Sequence, residues 1–375
     1  MKIMVLHDPY KEIALGSLGG EDNLVQLEID NLRKLGHEVF DERAFDKNLR
    51  KKINQLRAQS YGSTPDVLKR IKYFKPDVIH THNLNQRSGY KWMQFSNVPI
   101  ISSLHNYRIF CPSSIAWRSG SPCFECRDKS ALNAIKHQCD SYVGIINATR
   151  FLFFQKSNPQ IYYPKKFILA SHLMAETMKS ILPESKTTIL RSPGITKPKN
   201  QSINKERNDW LYAGRLTPEK GILNIINSWP SEEKLKIAGD GPLLSEIKNI
   251  ISSKPNIKLI GLYPPGDTSI YSKYEGLIFG STWYEGSPLV VVDCLSTGTP
   301  VICTDESGAS ELIDISKGGF VIKGKLNEIK IKNAIIDIRN NFKLYSDNAI
   351  KSSFTEFSVE NWASKLETII YSVLK

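Results

Sequence analysis

The sequence predicts an α/β protein built from two doubly wound parallel sheets, each in a domain of its own. Short apolar strands alternate with helically spaced segments along most of the chain, which is typical of parallel sheets. The 375 residues are enough for two domains with separate hydrophobic cores. Residues 192–209 are rich in Pro, Lys, Asn and Ser and are expected to link the two halves.

The first half begins with a strand, a glycine-containing loop, a helix and a second strand. Apolar residues 3–6 lead into a loop with Gly19 and Gly20, and residues 22–35 repeat Leu at helical spacing until Gly36. These glycines do not match the dinucleotide fingerprint, although they would let a ligand approach the backbone. The further strands predicted in this half are 37–40, 76–82, 98–104, 167–170 and 187–190.

The second half repeats this alternation and places two cations after its first strand. Arg215 and Lys220 flank the loop that follows this strand, where two fixed cations can neutralise a diphosphate. An ordinary charged surface loop is the alternative. Gly239 begins a turn after the second strand. The predicted strands are 210–214, 235–238, 257–261, 276–279 and 300–303, and a helix is expected from residue 308.

Residues 283–293, with the sequence WYEGSPLVVVD, are predicted to form a strand end, a tight turn and a helix start. Unpaired N–H groups and a partial positive charge at a helix start can hold a phosphate. Glu285 and Asp293 would flank that anion site and suit the hydroxyl groups of a sugar and a ribose. The helix start comprises Ser287 as the cap, Pro288 as the first helical residue and Leu289 after it. A buried strand is the alternative, because the segment is largely β-branched.

Two histidines stand at the ends of predicted strands. His82 ends one strand and His105 follows another, and ligands of parallel sheets bind beyond the carboxyl ends of the strands. Both side chains are therefore candidates for a cleft. The alternative is a purely structural role, which is the commoner one for a single histidine.

Four cysteines lie close together in the sequence: Cys111, Cys123, Cys126 and Cys139. One pair has the C-x-x-C spacing, and the outer two could complete a tetrahedral zinc site. Such a site would be structural, because four thiolates leave no open position for catalysis. The alternative is a set of reduced thiols, since disulfides are rare in the cytosol.

The formal charge of +12 favours an anionic partner. We find no nucleic-acid-binding module, so nucleic acid is not an expected partner, and binding through charge alone is a lesser alternative. Peripheral contact with an anionic membrane surface is a second interpretation. No apolar run is long enough to span a membrane, and the N-terminus resembles a strand more than a signal peptide. A cytoplasmic location is therefore expected.

Taken together, the motifs resemble glycosyltransferase family 4, a retaining family of the GT-B fold. In the second half they are GRLTPEKG at 214–221, GDGP at 239–242, EGSP at 285–288, TGTPV at 297–301, and Glu311. In the first half they are GGE at 19–21, PDVIHTH at 76–82 and LHNYR at 104–108. The resemblance covers nearly the whole chain and is closest to enzymes of bacterial polysaccharide and lipopolysaccharide assembly.

The resemblance implies two Rossmann-like domains that face each other across a cleft. We expect an acceptor-binding domain at 1–192, a nucleotide-sugar-binding domain at 193–355, and a helix at 356–375 that crosses back to the first domain. By similarity, Arg215 and Lys220 hold the donor diphosphate without a catalytic metal or other cofactor. The resemblance places the remaining site residues as follows: Glu285 and His105 at the reacting sugar, Asp293 at the ribose, and Gly19, Gly20, Gly239, Ser287, Pro288 and Leu289 at the donor.

One position departs from the family pattern, in which a second Glu follows the first after seven residues. Asp293 occupies that place, so the carboxylate is kept and one methylene is lost. For retention we favour front-face attack, with the departing phosphate accepting the proton of the acceptor. Double displacement through a protein nucleophile is the alternative.

The implied reaction is sugar transfer from a UDP- or GDP-linked donor to a glycan or lipid-linked glycan, at the inner face of the membrane. A sugar-nucleotide-binding or epimerase-like protein of the same fold, without transfer, is the alternative. Transfer to an acceptor, rather than interconversion of the donor, distinguishes the two.

Overall fold

The computed structural model describes residues 1–7, 20–42, 65–84, 89–139, 158–194, 207–263 and 268–374. The strands of the first half are β1 (Lys2–Leu6), β2 (Glu38–Glu42), β3 (Val78–Thr81), β4 (Ile100–Leu104), β5 (Trp117–Arg118), β6 (Ser121–Pro122), β7 (Lys166–Leu169) and β8 (Thr187–Ile189). Six of them form a parallel sheet in the order β2-β1-β3-β4-β7-β8. Among the described residues, the short strands β5 and β6 pair with each other as a separate antiparallel hairpin.

The second half forms a six-stranded parallel sheet of its own. Its strands are β9 (Trp210–Ala213), β10 (Leu235–Ala238), β11 (Ile257–Gly261), β12 (Gly276–Phe279), β13 (Val301–Thr304) and β14 (Gly319–Ile322). The order β11-β10-β9-β12-β13-β14 reverses direction between β9 and β12. In such sheets ligands bind beyond the strand ends at this reversal.

Most helices lie between strands in sequence, and the last three follow the final strand. In the first half they are α1 (Gly20–Lys34), α2 (Pro65–Phe74), α3 (Glu125–Asp128), α4 (Leu132–Lys136), α5 (Pro159–Tyr162) and α6 (His172–Met178). In the second half they are α7 (Ile222–Ser228), α8 (Leu244–Ile251), α9 (Leu289–Ser296), α10 (Ala309–Ser316), α11 (Glu328–Asn340), α12 (Phe342–Phe354) and α13 (Val359–Tyr371). Short 3-10 helices cover Lys91–Phe95, Glu184–Lys186, Pro218–Lys220 and Thr268–Lys273.

Each sheet is buried on both faces, which explains why its strands are almost continuously apolar. In β1 the residues from Ile3 to Leu6 are fully buried, and in β9 all four residues are buried. Separate apolar clusters pack on the two faces of the second sheet. The expected fold class, two doubly wound parallel sheets, is confirmed.

Helix α13 packs against the first sheet. Trp362, Leu366 and Ile370 of α13 are buried in one apolar cluster with Ile3 of β1 and Val25 of α1. Burial of such side chains contributes about 1.5–3 kcal/mol each. The expected domain boundaries at 192 and 355 stay predictions.

Three details qualify the sequence analysis of the fold. The residues after Pro288 form a helix, so the alternative of a buried strand is wrong. Strand β14 was not predicted from the sequence. Most of the expected linker, residues 195–206, lies outside the described residues. Within the described parts of the chain, none of the helices combines the length and apolar character that crossing a membrane requires.

Candidate functional site

The loop after β9, residues 214–221 (the cation loop), packs directly against the end of β12. Gly221 adopts a left-handed backbone conformation with φ +69°, and a side chain there would collide with the carbonyl of Gly280. Only glycine fits this position without strain. The backbone N–H of Thr282 also donates to the carbonyl of Glu219, with an N–O distance of 3.0 Å. The cation loop is therefore fixed against residues 280–288, which we term the Glu285 loop.

Lys220 and Glu285 contact each other where these two loops meet. The Lys220 ammonium forms an ion pair with Glu285 Oε1, and both side chains are largely buried. The Ser281 hydroxyl donates to the same carboxylate oxygen at 3.1 Å. Lys220 Nζ also lies 5.0 Å from the centre of the Trp283 ring, within cation–π range. The structure thus brings together two residues that the sequence analysis placed at the donor.

Arg215 lies at the start of the cation loop and leaves most of its side chain exposed. The exposed fraction of the side chain is 59%, against 15% for Lys220. Its weak contact is with the buried Glu219 at 3.4 Å, and Thr217 donates to the same Glu219 oxygen at 2.6 Å. Arg215 is therefore available to an anionic ligand. Gly239 underlies this loop, since a side chain there would collide with the carbonyl of Gly214.

The start of α9 differs from the sequence prediction in two residues. Pro288 has ψ 115°, an extended value, so it is the residue before the helix and Leu289 is the first helical one. The Ser287 hydroxyl does not cap the helix but accepts the backbone N–H of Ser192 at 3.1 Å. The expected capping role of Ser287 is wrong, because a backbone segment of the other half competes for its hydroxyl.

Gly20, the first residue of α1, approaches this helix start. A side chain on Gly20 would come 3.0 Å from the Leu289 side chain, so the start of α1 and the start of α9 are neighbours. Gly19 lies outside the described residues. Asp293 lies on α9, half-buried, near the phenol of Tyr271. Burial raises the pKa of the Tyr271 phenol, and the Asp293 carboxylate adds to this shift.

His105 follows β4 and joins a buried cluster of histidines and acids. His105 Nε2 lies 2.8 Å from His82 Nδ1, and the two rings stack. His82 Nε2 lies 3.1 Å from Glu28, and His80 Nδ1 lies 2.5 Å from the other oxygen of Glu28. A small cavity of about 20 Å³ borders this cluster, enough for about one water molecule. His82 is therefore not free in the cleft, as one sequence interpretation had it, but supports His105.

Glu28 was not predicted as a site residue from the sequence, although a signal was present. Glu28 lies one helical turn after Leu24 and one before Leu32, on the apolar stripe of α1. A carboxylate at such a position is buried, and a buried carboxylate requires partners. His80 and His82 supply them, because alternation along β3 places both on the same face of the sheet.

Glu311 joins the two halves of the chain. Its carboxylate accepts the backbone N–H groups of His172 and Leu173 at 3.0 and 2.8 Å, at the start of α6. Arg191 binds the same carboxylate at 2.8 Å. Nearby, the Tyr107 hydroxyl donates to the carbonyl of Tyr284 at 2.6 Å. Residues of the first half thus hold the Glu285 loop and α10 in place.

One group of described side chains has ligand atoms close enough together to hold a metal ion. Within the described residues, the ligand atoms of Glu28, His80 and His82 all lie within 4.8 Å of one another, and no cysteine trio does. The four cysteines are nevertheless neighbours. Burial, followed by the nearby thiols of Cys111, Cys139 and Cys123, raises the pKa of Cys126 to about 12. The zinc site stays a prediction.

Comparison with known proteins fits this geometry. Residues 195–351 match the family model described as "Glycosyl transferases group 1". The putative teichuronic acid biosynthesis glycosyltransferase TuaC of Bacillus subtilis is 35% identical over 105 residues, covering 27% of this chain and 26% of that protein. The UDP-Gal:alpha-D-GlcNAc-diphosphoundecaprenol alpha-1,3-galactosyltransferase of Escherichia coli is 25% identical over 224 residues, 54% of this chain and 57% of that protein. The chain thus spans about a quarter of the length of the first curated relative and about three-fifths of the length of the second.

The overall structure resembles that of HepE of Anabaena, solved in complex with UDP and with UDP-glucose. The TM-score is 0.64 for both complexes, at 17% identity, covering 99% of this chain and 100% of that one. The chain has the GT-B fold. The family match and the relatives named as glycosyltransferases support a transferase.

Proposed function

We propose that this GT-B chain is a retaining glycosyltransferase of the family 4 type. It moves a sugar from a nucleoside-diphosphate donor to a glycan or lipid-linked glycan acceptor in cell-surface polysaccharide synthesis. The observation that carries the proposal is the contact of Lys220 with Glu285 beside the exposed Arg215. It supports the proposal because two cations able to neutralise a diphosphate lie on one loop, and one of them contacts a carboxylate suited to sugar hydroxyl groups.

Donor binding changes the partners of Lys220 and Glu285. In the structure, Lys220 and Glu285 neutralise each other. A diphosphate carries more negative charge than one carboxylate, so Lys220 turns to it together with Arg215. Glu285 is then released to accept hydrogen bonds from the sugar, while the backbone N–H groups at the start of α9 face the phosphates. The diphosphate therefore needs no divalent cation.

The reaction itself follows the front-face route. The acceptor hydroxyl attacks the anomeric carbon on the face from which the nucleoside diphosphate departs. The bond from that carbon to the β-phosphate oxygen breaks, its electron pair stays on the phosphate, and the phosphate takes the hydroxyl proton. Cations aimed at the growing charge lower the barrier, and loss of one such group costs about 2.7–4 kcal/mol.

For the donor we propose a UDP-sugar, because HepE binds UDP and UDP-glucose and the relative from Escherichia coli takes UDP-Gal. GDP is the alternative base. For the acceptor we propose a lipid-linked sugar, by analogy with the diphosphoundecaprenol substrate of that relative. The charge of +12 supports peripheral contact with an anionic cytoplasmic membrane face, and hence a cytoplasmic location.

The test is a transfer assay with isotope-labelled UDP-sugars, GDP-sugars and polyprenyl-diphosphate-linked acceptors in EDTA. We expect labelled, α-linked lipid product from an α-linked donor, and its loss in Arg215→Ala. Lys248→Ala is the matched control, because Lys248 is an exposed cation on α8. A product of inverted configuration contradicts retention. Donor epimerisation without transfer establishes the epimerase-like alternative instead.

A further inference from the structure

A chain of short contacts leads from the interior of the first half to His105. Glu28 is at its centre, fully enclosed, with one carboxylate oxygen 2.5 Å from His80 Nδ1 and the other 3.1 Å from His82 Nε2. Beyond His80, the ring Nε2 lies 2.8 Å from the Ser103 hydroxyl. Beyond His82, the ring Nδ1 lies 2.8 Å from His105 Nε2.

The chemistry of a carboxylate fixes which atom donates at each step. An ionised carboxylate can only accept, so both ring nitrogens that face Glu28 carry protons. Glu28 Oε2 and His82 Nε2 are both buried and, within the described residues, neither forms an aligned hydrogen bond, but they face each other at 3.1 Å. In a neutral His82 the remaining Nδ1 is an acceptor. The proton between His82 and His105 therefore belongs to His105 Nε2.

The charge states agree with this assignment. Burial alone would raise the pKa of Glu28, but His80 and His82 outweigh it and hold that pKa well below its usual value. Burial lowers the pKa of His82 to about 4, and enclosure by protein atoms, with His82 nearby, lowers the pKa of His105 well below its usual value. At neutral pH the carboxylate is ionised and both of these rings are neutral.

We propose that Glu28 is a positioning residue that fixes the Nε2–H tautomer of His105 through His82. His105 then presents Nδ1 as a hydrogen-bond acceptor to a hydroxyl group of the transferred sugar. The identity of the ligand as a transferred sugar rests on the proposed function, whereas the tautomer of His105 does not. In the described part of the chain His105 Nδ1 has no hydrogen-bond partner, and His105 is half-buried at the carboxyl end of β4.

The same side chains could instead surround a metal ion. The His80 Nδ1–Glu28 contact of 2.5 Å is a hydrogen bond, which favours a proton there over a metal ion. The 3.1 Å between His82 Nε2 and Glu28 Oε2 lies in the same distance range, although that pair is not aligned as a hydrogen bond. The proposed network also satisfies the buried charge without an ion. Zinc addition is therefore one arm of the test.

The first experiment records imidazole ¹⁵N resonances of histidine-labelled protein in EDTA, with His105 assigned through His105→Gln. We expect a protonated Nε2 and an unprotonated Nδ1 on His105, with scalar coupling across the hydrogen bond to His82 Nδ1. UDP-glucose and UDP-galactose are then added, and the His105 Nδ1 resonance is expected to move with one of them but not with UDP. A His105 protonated on Nδ1, or a Nδ1 resonance unaffected by the UDP-sugars, overturns the proposal. Zn²⁺ is added last. If one equivalent removes the protons between Glu28, His82 and His105, these side chains form a metal site and the proposal is overturned.

The second experiment is a double-mutant cycle on transfer rate. Glu28→Gln replaces one acceptor oxygen by an NH₂ group and so disturbs the tautomers of His82 and His105. Glu28→Asp keeps the carboxylate and should restore part of the transfer rate. We expect about a tenfold loss of kcat/KM in Glu28→Gln, the loss of roughly one hydrogen bond, with UDP affinity unchanged. The double variant with His105→Gln should be no slower than His105→Gln alone. Additive losses, or an equal loss of UDP affinity, contradict a role through His105.

These two experiments separate the inference from the proposed function. The histidine resonances of the unliganded protein report the contacts that connect Glu28, His82 and His105, whether or not sugar is transferred. If these contacts are intact but no sugar is transferred, the proposed function is contradicted and the role of Glu28 is not.

Discussion

The Lys220 ammonium contacts the Glu285 carboxylate and joins the loop after β9 to the loop after β12. These strands are neighbours in the sheet, at the point where its order reverses. The pair therefore marks the edge at which parallel sheets bind ligands. Each side chain neutralises the charge of the other, which allows this lysine and this glutamate to be largely buried.

Glu311 is expected to stabilise the contact between the two halves of the chain. Glu311→Ala leaves the start of α6 and Arg191 without their acceptor, and we expect a loss of about 1–3 kcal/mol, or a Tm lower by about 2–8 °C. Differential scanning calorimetry measures this change. Glu246→Ala, an exposed carboxylate on α8, serves as the control and should leave Tm unchanged. Equal Tm values for the two variants contradict the prediction.

Asp293 is expected to bind the nucleoside and not the diphosphate. Asp293→Asn removes a charged acceptor, which is worth about 1.5–3 kcal/mol and hence about 10- to 100-fold in UDP affinity. Affinity for pyrophosphate should stay the same. Asp293→Glu keeps the carboxylate and adds one methylene, and should keep UDP binding. An equal loss for UDP and pyrophosphate in isothermal titration would place Asp293 at the phosphates instead.

Stability is expected to fall as the pH is lowered from 6.5 towards 4. The pKa of His82 is about 4 in the folded chain, below its ordinary 6.5, so the unfolded chain binds more protons in this window. His105 acts in the same direction. Glu21 opposes them, because burial raises its pKa from 4.5 to about 7. Thermal unfolding of Glu21→Gln should therefore show a steeper acid loss than the unaltered protein, and a shallower one contradicts the assignment.

Zinc at the four cysteines is tested by metal analysis of protein purified without chelator. We expect about one equivalent of zinc per chain, and a cobalt-substituted form with thiolate charge-transfer bands. Cys126→Ser should lose the metal, whereas Cys303→Ala, a buried cysteine of β13, should keep it. Less than a tenth of an equivalent in the unaltered protein rules out the site.

The sequence was sufficient to predict the sheets but not every contact between them. Strands such as β1 and β9 are continuous apolar runs bounded by glycine or polar residues, a local signal. The predicted capping role of Ser287 was wrong because its hydroxyl accepts the backbone N–H of Ser192, 95 positions away in the sequence. Strand β14 is only partly buried and shows a weaker apolar pattern.

The candidate site was predicted to a similar extent. Lys220 and Glu285 were placed through motifs, and the structure brings them into contact. Glu28 was missed because its partners are on β3, and no local pattern reveals which strand a helix covers. Buried polar networks depend on tertiary packing, and sequence periodicity alone indicates only that Glu28 faces the interior.

The central claim is that the cation loop binds a nucleoside diphosphate without a metal ion. Isothermal titration of UDP and GDP in EDTA tests it most directly, on the unaltered protein, Arg215→Ala and the control Lys248→Ala. The account predicts binding of one nucleotide in EDTA, at least tenfold weaker in Arg215→Ala and unchanged in the control. Binding that requires Mg²⁺, or that is equally strong in Arg215→Ala, would contradict it.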